Sequence, residues 1–73
     1  MPTAFVTDVR FGGDMLNVQL SDGREIRVPL EWFPKLRDAT KEQQGNWRLI
    51  GKGIGIHWVE LDEDLSVAGL LEY

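Results

Sequence analysis

The chain has no cysteine, one histidine and no long apolar run, and each scarcity closes off a class of function. Without cysteine there is neither a disulfide framework nor a thiolate metal site. A transition-metal site needs several converging ligands, and His57 supplies only one imidazole. No segment approaches the roughly 18 apolar residues of a membrane span. Met1 to Phe11 lacks the basic start and apolar run of a secretory leader, so the expected location is the cytoplasm, away from any membrane. Positive charge is also in short supply. Eight Lys and Arg face twelve Asp and Glu, a net charge of -4, whereas phosphate contacts require a basic footprint. Direct nucleic-acid binding is therefore not expected.

What remains is an ordinary globular composition, 42% hydrophobic and 27% charged, in 73 residues. That length predicts one domain over 1–73 that buries only about 60% of its unfolded surface. Small domains supplement so thin a core with disulfides, a metal or an interface. With thiols absent, the expectation turns outward, to a homo-oligomer or to another protein.

The first third reads as a three-stranded antiparallel meander. Phe5, Val9 and Phe11 alternate with Val6, Asp8 and Arg10, and Leu16, Val18 and Leu20 alternate with Asn17 and Gln19. For Phe11 to share a face with Leu16, the first turn must be the two-residue Gly13-Asp14, with glycine suiting a type II′ geometry. This sets Val9 opposite Val18. A two-residue turn at Asp22-Gly23 would set Leu20 across from Glu25. A three-residue loop, Ser21-Asp22-Gly23, instead pairs Val18 with Ile26 and Leu16 with Val28, keeping apolar residues together.

Pro29 has no amide hydrogen and ends the third strand, and Trp32-Phe33 before Pro34 is biased away from helix. Pro34 suits the first turn of a short helix from about Lys35. Thr40 and Gln43 have capping-box spacing, and Gly45-Asn46 supplies a stop, so a second helical turn is expected. Leu36, Ala39, Trp32 and Phe33 would cover one face of the sheet. A second β-hairpin follows: Trp47 to Ile50, a glycine-rich bend, then Ile54 to Leu61 with Ile54, Ile56 and Trp58 sharing a face. Asp62-Glu63-Asp64 suits the positive end of a short C-terminal helix running to Leu71, with Leu65, Ala68 and Leu71 on its buried side. The expected fold class is α+β.

Few residues invite chemistry. Gly51, Gly53 and Gly55 with Lys52 match neither the dinucleotide fingerprint nor the Walker pattern, and read as a hairpin bend. His57 precedes Asp62, Glu63 and Asp64, which raises metal-assisted chemistry as a remote alternative. The contiguous acids lack the alternation of a calcium loop, and no spacing ties Ser21, Ser66 or a threonine to His57 as a nucleophile. No catalytic residue, cofactor or metal is assigned, and the chain is not expected to be an enzyme. Trp32, Trp47 and Trp58 read first as core, with an interface as the alternative because tryptophan is enriched at binding hot spots. The acidic run is a solvated helix start or a docking surface for a basic protein.

Taken together, several segments resemble the bacterial family known as domain of unknown function 2442. They are Val9 and the strands through Ser21-Asp22-Gly23, Pro29-Leu30-Glu31-Trp32-Phe33-Pro34 with Leu36, Ala39-Thr40 to Asn46-Trp47, and Gly55-Ile56-His57-Trp58 through Leu61-Asp62-Glu63-Asp64-Leu65-Ser66 to Gly69-Leu70-Leu71. Val59 departs from the proline expected in many relatives. The resemblance implies an α+β fold and no established activity to carry over. Similar proteins occur alone or joined to a helix-turn-helix segment, and no such segment is expected within these 73 residues. The stand-alone kind often neighbours a second small protein in a toxin-antitoxin-like arrangement. Two readings follow: an antitoxin-like module holding a small basic companion encoded nearby through Trp32, His57, Trp58, Asp62, Glu63 and Asp64, or a regulatory domain acting with a separate helix-turn-helix DNA-binding chain.

Overall fold

The computed structural model describes residues 4–71. Three strands, β1 (Val6–Gly12), β2 (Met15–Leu20) and β3 (Glu25–Pro29), form an antiparallel sheet in that order. Register follows hydrophobic parity: Val9 pairs with Val18, Phe11 with Leu16, Val18 with Ile26 and Leu16 with Val28. Leu20 N donates to Arg24 O at 2.9 Å and closes the three-residue loop Ser21-Asp22-Gly23, with Gly23 at φ 93°, a conformation that disfavours any side chain. One expectation fails in β1. Thr7 is an extra residue between the Val6–Leu20 and Asp8–Gln19 pairs, a β-bulge that turns Val6 onto the core face, away from Asp8 and Arg10. Strict alternation cannot signal such an insertion.

After Pro29 the chain makes a single 3-10 turn, Leu30–Trp32, and then α1 (Pro34–Arg37), with proline in the first turn. Leu30, Phe33 and Leu36 are buried, whereas Trp32 is 49% exposed and does not cover the sheet as expected. Helix α2 (Lys41–Gly45) opens with the capping box: Gln43 N donates to Thr40 Oγ1 at 3.1 Å, and Thr40 N donates to Gln43 Oε1 at 3.0 Å.

The second sheet comprises β4 (Trp47–Ile50), β5 (Gly55–Trp58) and β6 (Glu63–Ser66), antiparallel with β5 central. It corrects the sequence reading at three points. The expected strand Ile54 to Leu61 shortens to β5, because the turn holds Ile54, which is 52% exposed. The hairpin gains a third strand, since Glu63-Asp64-Leu65-Ser66 alternates half-buried with exposed residues and follows period two. The acidic run is thus a turn and a strand start, with Asp62 in the left-handed region at φ 50°, a conformation aspartate tolerates. Helix α3 is only Val67–Leu71, and it buries Val67 and Leu70 rather than Ala68 and Leu71.

Both sheets feed one apolar cluster, with Leu16, Val18 and Val28 from the first and Ile56 and Trp58 from the second. Phe11 meets Trp58 edge to face, ring centroids 6.2 Å apart. Trp58 Nε1 donates to Gln44 O, and Gln44 Nε2 donates to Leu36 O, both at 2.9 Å, so the indole is fully buried with its polar atom satisfied. Two further bonds fasten the β4–β5 turn: Val6 N to Gly53 O at 2.8 Å and Val67 N to Ile54 O at 2.9 Å. Gly53 sits at φ 111°, and a Cβ there would lie 2.9 Å from Val6 O, so glycine is required by conformation and by space.

Candidate functional site

The second sheet turns one face to the core and the other to solvent, and strand register decides which residues stand together. On the core face, Leu49, Ile56 and Leu65 form one row across β4, β5 and β6. The adjacent outer row is Arg48, His57 and Asp64. Within it His57 Nδ1 lies 2.5 Å from Asp64 Oδ1, with side-chain exposures of 29% and 64%. When Nδ1 carries the hydrogen and donates to Asp64, Nε2 is left as an acceptor. Arg48, on the other side of the ring, makes no ion pair among the described residues.

This dyad escaped the sequence reading, which left His57 without a partner. The available signal was the period-two alternation of Glu63-Asp64-Leu65-Ser66, obscured by treating the acids as a helix start. Ser66 Oγ, on the same sheet face, accepts from Gly69 N at 2.9 Å within the β6–α3 junction. No group of three or more histidine or carboxylate side chains capable of holding a metal occurs among the described residues.

The remaining candidates separate. Trp58 is core and presents no side chain to a partner. Trp32 is half exposed but belongs to the 3-10 turn, outside the second sheet. Asp62 and Asp64 are exposed and Glu63 half-buried at the β5–β6 hairpin, where Glu60 also accepts from Asn46 Nδ2 at 3.3 Å. Elsewhere, arginines pair with near neighbours: Arg10 with Asp8, Arg24 with Asp22 and Arg37 with Asp38. The side chains of Arg10 and Arg37 hold Asp8 and Asp38 below their ordinary value, the backbone amide of Arg24 chiefly does so for Asp22, and Asp38 raises Arg37 in turn. Glu60, Asp62, Glu63 and Asp64 have no Lys or Arg partner among the described residues. Exposed apolar side chains gather on the same sheet: Leu49, Ile50, Ile54 and Val59 all belong to the β4–β5 hairpin and its flanks.

Concavity is modest. One open hollow of about 210 Å³ lies over Asp64, Leu65, Ser66, Gly69 and Leu70, and another of similar size beside Glu31 and Arg37. Small-molecule pockets generally measure roughly 300–1,000 Å³. No helix among the described residues is long and apolar enough to cross a membrane.

No curated protein matches the chain. It is similar to the crystal structure of a protein of unknown function from Rhodospirillum rubrum ATCC 11170, with a TM-score of 0.80 and 27% sequence identity. That likeness covers 97% of this chain and 88% of the other. The two-sheet architecture is accordingly shared. The family described as protein of unknown function (DUF2442) matches over residues 6–73, and the chain belongs to it.

Proposed function

We propose that the chain is a cytoplasmic, non-enzymatic protein-binding module, the antitoxin-like member of a two-protein pair, which holds a small basic companion on its β5–β6 hairpin. The observation that carries this reading is the uneven use of charge. Arg10, Arg24 and Arg37 are occupied by aspartates beside them, while Glu60, Asp62, Glu63 and Asp64 meet no Lys or Arg among the described residues. Four carboxylates on one hairpin raise the local negative potential, speed encounter with a basic surface and disfavour an acidic one. Val59, 43% exposed beside Glu60, supplies apolar area once the partner is seated.

The test is co-expression with the product of the adjacent gene, followed by size-exclusion chromatography and calorimetry. A stoichiometric complex is expected, weakening as salt rises because exposed charges are screened. Glu60→Lys with Asp62→Lys should weaken binding by about tenfold at low salt, a loss of roughly 1.4 kcal/mol. Absence of a complex at micromolar concentration, or one indifferent to salt and charge reversal, sinks the reading.

A further inference from the structure

The opposite edge of the second sheet has a different chemistry. Residues 47–59, which include β4, its turn and β5, hold Arg48, Lys52 and His57 but no Asp or Glu, in a chain with twelve acids. Among the described residues β4 pairs only with β5, so its far edge is an open row of backbone donors and acceptors. The strand contains no proline or lysine, no bulge interrupts its pairing with β5, and Leu49 and Ile50 are 38% and 36% exposed.

We propose that this edge accepts an extended segment of another protein, added as a fourth strand, with an acidic residue beside Arg48 and apolar residues beside Leu49 and Ile50. Cross-strand rows specify the occupant. On the outer face the row runs Asp64, His57, Arg48. Asp64 holds the histidine, whereas Arg48 has no ion-pair partner among the described residues. An acidic side chain on the added strand completes that row with opposite charges side by side, and a lysine there places like charges together. On the core face, Leu65, Ile56 and Leu49 form an apolar row that ends at a partly exposed leucine. The incoming residue next to the acid points to that face and extends the row. The following residue returns to the outer face beside Ile50, where an apolar side chain again fits. The occupant therefore carries an acidic-apolar-apolar triplet, read in either strand direction. Main-chain hydrogen bonds supply affinity and the alternating side chains specificity, the mode known for strand addition. This surface stands apart from the acidic hairpin, and its chemistry is complementary to the opposite kind of partner.

Selection from a displayed library of random peptides about eight residues long, a typical strand length, tests it. Enrichment of the acidic-apolar-apolar triplet is expected. A selected peptide, synthesised and titrated by NMR, should shift the amides of 47–50 before all others. Arg48→Glu should weaken that peptide by about tenfold or more, and reselection on this variant should favour Lys or Arg in place of the acid. Arg48→Gln, retaining a neutral polar side chain, guards against a folding artefact and should give an intermediate loss. Asp62→Lys, in the other hairpin, should leave peptide binding unchanged. The proposal is overturned if no triplet is enriched, if shifts centre elsewhere, or if reselection is blind to position 48. It is equally overturned if sedimentation shows a dimer that Leu49→Lys dissolves, since a second copy then occupies the edge.

Discussion

At the scale of single residues, Asp8, Asp22 and Asp38 connect the surface to acid stability. Asp8 is lowered chiefly by the Arg10 side chain, Asp22 by the backbone amide of Arg24 and Asp38 by the Arg37 side chain, all from an ordinary value of 3.8. Each aspartate binds its proton more weakly folded than unfolded, so its contribution is present above the ordinary value and disappears as pH falls through the folded one. Melting temperature should therefore drop below about pH 4, with a shallower drop in a variant carrying Asp8→Asn, Asp22→Asn and Asp38→Asn. Thermal melts across the acid range decide this, and an unchanged acid limb assigns the lability to other carboxylates. Because all three groups are exposed, added salt should reduce the difference. Individual roles were unevenly legible in the sequence. Trp58 and Trp32 look alike as residue types, and only the tertiary fold places one against Phe11 and Gln44 and the other half in solvent.

At the scale of elements, local chemistry was most readable where it was most constrained. Turn length and side-chain parity together forced the β1–β2–β3 register, and the Thr40–Gln43 box marked the start of α2. Helix α2 has only five residues, too few to be stable through propensity alone, so its cap matters. Thr40→Ala should destabilise the protein by about 1 kcal/mol in urea unfolding, with Thr40→Ser close to the parent, because serine restores the acceptor. Equal losses in both variants would point instead to the lost methyl group. What could not be read locally was β6. Asp62-Glu63-Asp64 satisfies the charge preference of a helix start, and pairing with β5 overrides it by placing Leu65 beside Ile56 and Asp64 beside His57. The missed dyad followed directly from that missed strand. The bulge at Thr7 is hidden for a similar reason: only docking of Val6 against the second sheet shows why β1 needs an additional residue.

At the scale of the whole molecule, two sheets of consecutive strands share one core and are stitched where Val6 meets Gly53. Each sheet is built from neighbouring hairpins and closes early, while the stitch joins residues 47 positions apart and carries a larger loop-closure cost. It is therefore expected to form on the late side of the folding barrier. Gly53→Ala, strained at φ 111° and crowded by Val6 O, should destabilise the protein by about 1–3 kcal/mol. Gly45→Ala, which meets no atom within 4 Å and has no positive φ, should be neutral or slightly stabilising. In stopped-flow chevrons the Gly53 penalty should fall almost wholly on the unfolding arm, leaving the refolding rate near that of the parent. A slowed refolding arm would instead place this contact in the nucleus. Gly53, held at positive φ and crowded by the backbone of the first sheet, thus acts as a clasp expected to close last, and the lifetime of the native state depends on how seldom it springs open.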